Sequence, residues 1–551
     1  MTIFRTSVAT GWLTASVGAD GTEVSYSRRN GGGISVAASV GGTTSYAFDV
    51  AGRKTHISSP AGSFALGYCE WNGKLAAVTN ASGFVVQYAY DIMDRVANIA
   101  WRTTSGATLG GFEYEYDAVG RIVSRSHMLG DSSQPSQMSQ SSQKNYAYDD
   151  LDRLASDDGV TYAYDAAGNR MTRTENGATA TYTLGVGDQL ASWTGGAYTH
   201  DVAGNVTRIE RDGRPTLDLT WNSQYQLVSV ATNGVFAESY EYDALGRRVA
   251  TANMEGSTRH VYDDNWQVVA DLDEQENVIA SYTWGEGIDN LLAVKVGGAS
   301  YYPLRDIQGT VWGYVDSQNN VVARWRYDAW GNVVDESVSV PELASLRYRF
   351  QGREWSAATG LIHFRMRWYD AETSRWLSKD PIGLSGGLNL YVFCGDSPIK
   401  YLDPFGKNFL KDWWDDNIVH PIAEGILNHW NRNNGLNDPS NLPQSPSDAE
   451  KEYWKKLPLS KSVYHNRNGA ANSKYVSPDG HREAVFDHNG RLVTDSYNMG
   501  TYNFYGPDNN IGHIIYDVIP YLLLGNTPDD AFDYWDRLQA TLEAVILYSI
   551  Q

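Results

Sequence analysis

YEYDALGRRVATAN, residues 240–253, is the stretch from which the architecture of this chain can be read. Tyr240 and Tyr242 stand two apart, so an extended strand carries both rings on one face. Asp243 then opens a tight turn, because its carboxylate can accept from backbone N–H groups further along. Gly246 supplies the positive φ that the turn requires. RRVATAN returns as a second strand. The phrase recurs at Asp49, Asp91, Asp117, Asp149, Asp165, Asp201 and Asp328, with weaker copies at Asn222 and Asp263. From Asp201 through Asn222 and Asp243 to Asp263 the spacing is 21, 21 and 20 residues, room for two short strands and two turns per unit. A lone hairpin cannot bury its aromatic face, whereas a stacked series shares one sheet. The tyrosines are therefore read as ladder residues of a wall, not as a binding surface.

Composition agrees with a β-rich chain: 36 Tyr and 53 Gly against 17 Pro suit hairpins joined by glycine turns. With 551 residues, two to four domains and a large core are possible. The net charge of −21 disfavours non-specific nucleic-acid binding by the chain as a whole. Cys69 and Cys394 lie too far apart in sequence to suggest a disulfide framework or a zinc site, and are read as small buried hydrophobes. The longest apolar runs fall short of the ~18 residues of a membrane span. The opening MTIFRTSVATGWLTASVGADG lacks the basic start and apolar stretch of a signal peptide.

Residues 347–406 read RYRFQGREWSAATGLIHFRMRWYDAETSRWLSKDPIGLSGGLNLYVFCGDSPIKYLDPFG and occur once. Asp380 and Asp403 each precede proline, which restricts the backbone on both sides of the peptide bond. Two carboxylates brought together cannot both ionise easily near neutral pH, and such a pair can activate water against a peptide bond. Arg367 is placed to hold one of them charged or to polarise the scissile carbonyl. Asp-Pro pairs are also ordinary turn formers, so the residues alone leave both readings open. Gly383, Gly386 and Gly387 are read as sites of close backbone approach.

Residues 407–551 form a different protein in style, holding six of the 11 histidines. A helix is expected over NFLKDWWDDNIVHPIAEGILNHWNRNNG, and Ser447 with Glu450 reads as a capping box for a helix through YWKKL. EAVFDH and RLVTDS flank Asn489–Gly490 as a hairpin, TYNFY at 501–505 reads as a third strand, and a last helix starts at Thr527 and Pro528. The expectation is a small α+β domain. HREAVFD, read as a strand, sets His481, Glu483 and Asp487 on one face, with His465, Arg467 and Lys474 upstream. Residues 451–491 carry eight Lys/Arg against four Asp/Glu, which fits a small phosphodiester site better than a long DNA track. In the first reading the tail is a metal-independent ribonuclease. His481 or His465 takes the attacking proton, Glu483 assists it and Lys474 stabilises the phosphate. Tyr502 and His513 are further candidates. HExxH, Cys/His metal spacing, a Walker loop and GxSxG are all missing, so neither metal nor cofactor is expected. Other readings stay open: FDHNGR as one more repeat-like hairpin, a membrane-active tail built on IIYDVIPYLLL, an ADP-ribosyl transferase, or a non-toxic scaffold.

The repeats resemble the tyrosine-aspartate, or Rhs, repeats, and residues 347–406 resemble the Rhs repeat-associated core, the likeness covering roughly 40–406. The resemblance implies a mainly β architecture: a spiralling, cocoon-like hairpin shell, whole or partial, over 1–346. A core junction at 347–406 and a C-terminal toxin domain at 407–551 would follow. It further implies an internal aspartyl protease of Arg367, Asp380 and Asp403, cutting just after the DPxG motif near Lys407–Asn408. Two departures stand out: Lys407 where the family has leucine, and Asp396 where it prefers asparagine. The implied biology is a polymorphic toxin of interbacterial competition, secreted and delivered to a target cell, by type VI secretion for instance. Its partners would be a secretion apparatus or delivery module, a cognate immunity protein and RNA as a possible substrate.

Overall fold

The computed structural model describes residues 3–6, 13–17, 23–28, 34–131, 134–138, 142–407, 443–451, 453, 455–456, 473–476 and 483–493. Those up to 407 belong to one unit and those from 443 to a second.

In the first unit 33 strands, from Ile3–Thr6 to Val333–Val338, form one antiparallel sheet among the described residues. Each strand pairs with the next in sequence, except that Gln134–Met138 is a side excursion and Ile122–Asp131 pairs onward with Ser142–Tyr148. The expected mainly β repeat wall is thus present, and the repeat chemistry that builds it recurs from turn to turn. Val235–Tyr242 pairs with Arg248–Asn253, and the register slips by one residue where Tyr242 meets Arg248. Asp243 Oδ1 accepts from the backbone N–H of Leu245 at 2.9 Å and of Arg247 at 3.0 Å, while Oδ2 accepts from Arg247 Nε at 2.8 Å. The same bonds recur at Asp91, Asp117 and Asp149. Asn169 and Asn205 replace the arginine opposite Asp165 and Asp201.

The fourth turn residue is left-handed even where it is not glycine: φ is +61° at Asp94, +63° at Asp152, +62° at Tyr225, +60° at Trp266 and +65° at Glu276. The side-chain bonds of the opening Asp, or of Asn222 before Tyr225, therefore impose the backbone, and a side chain at that position carries a penalty of about 1 kcal/mol.

Links between repeats come from the second aromatic residue of the phrase wherever it is tyrosine or tryptophan. The hydroxyl donates backward to a carbonyl of the previous hairpin: Tyr90 to Leu75 O and Tyr116 to Val96 O at 2.7 Å, Tyr242 to Leu227 O at 2.8 Å. Where tryptophan takes the place, its ring nitrogen makes the bond, as Trp221 does to Val206 O at 2.7 Å. The arginine of one turn also covers the tyrosine of the next, Arg95 over Tyr116 at 4.4 Å and Arg153 over Tyr164 at 4.9 Å.

The sheet winds back on itself. Ser59 Oγ meets Thr283 Oγ1 at 2.5 Å, Tyr114 OH accepts from Ile307 N at 3.2 Å, and Asp157 Oδ2 accepts from Ala329 N at 3.1 Å. Both partner numbers rise together, so a later pass of the coil runs alongside the earlier one in the same direction. Ile57, Trp101, Phe112, Trp312 and Trp325 fill the space between the passes. A four-stranded sheet follows: Glu354–Trp355, Ile362–Phe364, Arg367–Asp370 and Arg375–Trp376. Phe364, Tyr369, Trp376 and Phe393 join that core, whereas Leu361, Trp368 and Leu377 join a second one built from residues 182–240. The junction is thus seated on two stretches of wall at once.

In the second unit three expectations need correction. The helix is Pro446–Lys451, capped by Ser445, whose Oγ accepts from Asp448 N at 3.3 Å; Ser447 is not its cap. Lys455–Lys456 does not continue it but pairs as a strand with Ser473–Val476, which in turn pairs with Glu483–Phe486. Asp487 does not share a strand face with Glu483, because the strand ends at Phe486. Its Oδ1 accepts from Asn489 N at 2.8 Å and Arg491 N at 2.9 Å, with Gly490 at φ +73°. FDHNGR is indeed one more turn of the repeat type. The segments expected as the first and last helices and TYNFY lie outside the described residues.

Removing one backward bond tests the inter-repeat link. Tyr116→Phe is expected to lower unfolding free energy by about 1 kcal/mol in denaturant titration. Glu276→Gly, which frees a left-handed position at an exposed tip, is expected to raise it by roughly 0.5 kcal/mol.

Candidate functional site

Arg367, Asp380 and Asp403 come together from three segments. Arg367 starts the third strand of the junction sheet, Asp380 follows its last strand, and Asp403 heads the turn that closes the described part of the unit. Arg367 Nη2 lies 3.0 Å from Asp380 Oδ2 and 2.9 Å from Asp403 Oδ2. The two carboxylate oxygens are therefore no further apart than those distances combined. All three side chains are buried, Asp380 the least, at 9% exposed. The guanidinium rests over Trp376, 4.0 Å from the ring centre.

The same arginine grips the chain beyond the DPFG motif. Its Nε donates to Gly406 O at 2.5 Å and its Nη2 to Lys407 O at 2.9 Å, while Lys407 N donates to Asp403 Oδ1 at 2.9 Å. Gly406 has φ +63°, and a Cβ there would sit 2.5 Å from Phe364 O, so only glycine lets the turn nest against the strand. Of the three glycines read as close approaches, Gly386 is one, since a Cβ would sit 2.8 Å from Asp380 Oδ2. Gly383 and Gly387 have open space and serve positive φ instead.

Burial pushes Asp380 up to about 6, against the pull of Arg367 and, more weakly, of the Lys407 ammonium. Asp403 is raised by burial as well, and burial lowers Arg367. Asp380 opens on a cavity of about 530 Å³ whose wall includes Gln224, Tyr225, Tyr242, Met366, Trp368 and Lys379. Asp403 has no such opening: it is 2% exposed, and both its oxygens are engaged by protein donors. Chemically, the arrangement offers a carboxylate facing a solvent-sized space, a second carboxylate on the chain itself, and a cation on a peptide carbonyl.

Two residues of the site escaped the sequence reading: Trp376 beneath the arginine, and Arg365, two residues before Arg367, which donates to Pro404 O at 2.6 Å. The doubled arginine of FRMR was the available signal. In the tail, Lys474 lies on Ser473–Val476 opposite Val485 and is 3% exposed, and Glu483 stands opposite Val476. His465, His481, Tyr502, His513 and Asn408 lie outside the described residues.

Asp396 is buried at φ +60°, and burial pushes it up to about 7 despite Arg170 and Arg375 nearby. Asparagine tolerates that backbone and carries no charge, a physical reason to prefer it there. A carboxyl raised in the folded state adds stability below its unfolded pKa and loses it as pH rises through the folded value. Asp396→Asn is therefore expected to stabilise the chain by on the order of a few kcal/mol at pH 8, the gain closing toward pH 4 in unfolding titrations.

The chain matches the family described as Teneurin YD-shell over residues 81–399, more than half of its length. The tRNA3(Ser)-specific nuclease WapA of Bacillus spizizenii is 29% identical over 257 residues, 45% of this chain and 11% of that protein. Double-stranded DNA deaminase toxin A of Burkholderia cenocepacia is 24% identical over 334 residues, 55% of this chain and 21% of that protein. The chain thus spans about a tenth to a fifth of the length of these relatives. Among solved structures, that of TcdB2-TccC3-Cdc42 superposes with a TM-score of 0.60 at 20% identity, covering 75% of this chain and 22% of that one; the likeness is one of fold. With the wound hairpin sheet, its repeated aspartate turns and the family match over 81–399 in agreement, the chain belongs to the Teneurin YD-shell family of tyrosine-aspartate, or Rhs, repeat proteins.

Proposed function

We propose that this chain is the repeat wall and cleavage junction of a polymorphic toxin, and that Asp380 and Asp403 with Arg367 cut it after Lys407. The observation that carries this reading is the set of three contacts made by one nitrogen, Arg367 Nη2, to both carboxylates and to Lys407 O. Water entering from the cavity beside Asp380 adds to the Lys407 carbonyl carbon and gives its proton to Asp380. The oxygen of the tetrahedral intermediate gains negative charge against Arg367. Collapse breaks the C–N bond to Asn408, whose nitrogen takes a proton from the carboxyl pair, leaving a new C-terminal carboxyl on Lys407 and a new amine on Asn408. Leucine is not needed for this geometry, since Lys407 contributes only its backbone N–H and carbonyl to it.

The released tail is proposed as an effector acting inside a target cell, delivered by a secretion apparatus and neutralised in the producer by an immunity protein. Relatives with this wall include a tRNA nuclease and a DNA deaminase, so the wall by itself does not choose the chemistry. Metal-independent RNA cleavage through His481, Glu483 and the basic segment remains the first reading of the tail. The burial of Lys474 counts against its direct contact with phosphate and moves that role toward other basic residues of 451–491.

Mass spectrometry of the purified chain is expected to show a fragment of about 144 residues beginning at Asn408, and Asp380→Asn and Asp403→Asn are each expected to stay full length. An uncut wild-type chain after long incubation would defeat the protease reading. Because Asp380 must be ionised to accept the proton, the rate is expected to rise through about pH 6, followed by gel densitometry from pH 5 to 7. RNA incubated with the cleaved chain in chelator is expected to be degraded. Intact RNA would remove the ribonuclease assignment and leave the cleavage assignment standing.

A further inference from the structure

The DPFG turn is held by residues that take no part in the chemistry above. Arg365 sits in the two-residue turn between Ile362–Phe364 and Arg367–Asp370, with Phe364 opposite Arg367 and φ +56° at Arg365. Glycine is the usual residue at that first central position. An arginine there costs on the order of 1–3 kcal/mol and persists only where its surroundings over-determine it.

Those surroundings come from the repeat wall. Arg365 Nη1 and Nη2 lie 3.0 Å and 2.8 Å from the two oxygens of Asp289, which also takes Arg353 Nη1 at 2.7 Å. On its other side Arg365 donates to Pro404 O, and its guanidinium lies 4.9 Å from the ring centre of Phe405. Phe405 in turn meets Trp266 edge to face, ring centres 5.8 Å apart. Trp266 occupies the left-handed position of the turn Asp263–Gln267, where most repeats have glycine. Two wall segments, 263–267 and the loop carrying Asp289, thus grip residues 404–405 from outside the junction.

We propose that Trp266, Asp289 and Arg365 are positioning residues that set the DPFG turn so that Lys407 O meets Arg367, making self-cleavage conditional on those wall segments having folded. This rests on the protease reading of Arg367, Asp380 and Asp403. Without the wall contacts nothing maintains the costly backbone at Arg365, and a shift of Pro404–Phe405 by an ångström moves the scissile carbonyl off the guanidinium. Such a misplacement is enough to slow a positioned reaction by ~100-fold.

The test follows fragment appearance after cell-free synthesis of the full chain. Trp266→Gly keeps the turn, because glycine suits its backbone, but removes the contact with Phe405. It is expected to cleave about tenfold more slowly or worse, with an unchanged thermal midpoint and an unchanged pH of half-maximal rate, and Trp266→Phe is expected to recover much of the loss. Asp289→Asn, which removes the charge facing Arg365, is expected to slow cleavage as well. Wild-type rates in both Trp266→Gly and Asp289→Asn would overturn the proposal while an uncut Asp403→Asn kept the protease reading. Slow cleavage with a lowered midpoint in Trp266→Gly, unrelieved by phenylalanine, would also overturn it, since the role would then be structural. Should wild type itself stay whole, the protease reading fails first.

Discussion

Everything in the first unit depends on an aspartate that caps its own turn. One carboxylate oxygen takes two backbone N–H groups and the other takes the arginine or asparagine four residues on, as at Asp243 and Asp165. The two backbone bonds hold a left-handed residue in place whatever its side chain, which is why Trp266 and Glu276 can stand where glycine is usual. The other oxygen aims the arginine outward along the sheet, over the tyrosine of the next unit. A local turn is thereby converted into a link between neighbours. The backward hydroxyl bond from that same tyrosine closes the link, so each hairpin is defined by the one before it.

A chain of near-neighbour links would give a ribbon, and the ribbon becomes a body only because it winds. The contacts Ser59–Thr283, Tyr114–Ile307 and Asp157–Ala329 join passes of the sheet that are distant in sequence. The junction then uses both products of winding, placing Phe364, Tyr369, Trp376 and Phe393 in the core between the passes and Trp368 in the 182–240 core. Its polar groups follow suit. Arg248 pairs with Glu354, Arg347 with Asp271, and Arg353 and Arg365 with Asp289, all buried except the half-buried Arg347, and each joining wall to junction. Breaking one partner of such a pair leaves a buried charge, so the seat tolerates little variation.

At the candidate site the balance of charge is what matters. One arginine faces two buried carboxylates, which leaves an excess negative charge that burial makes costly. Both aspartates are accordingly shifted upward, and the pair retains a proton more readily than free carboxylates do. The Lys407 ammonium offsets part of that excess at Asp380. The side chain of Lys407 therefore acts on the titration of the site, while its backbone alone serves the geometry.

The sequence alone determined the hairpin, its turn aspartate and its period, because each is a local pattern; Arg367, Asp380 and Asp403 were singled out only through the family resemblance of the short single-copy phrase that holds them. It also carried FDHNGR as a repeat-type turn, since the bonds of Asp487 span only four residues. It misplaced the helix end near Lys455, where pairing with Tyr475 and Val476 outweighs helical propensity. Only the tertiary structure decided which tyrosine oxygen meets which carbonyl and which passes of the sheet touch. It alone showed that Trp266 and Asp289 reach the DPFG turn. Those contacts join residues as many as 224 positions apart, Ser59 and Thr283 among them, and no local spacing encodes a distance that depends on how far the sheet has wound.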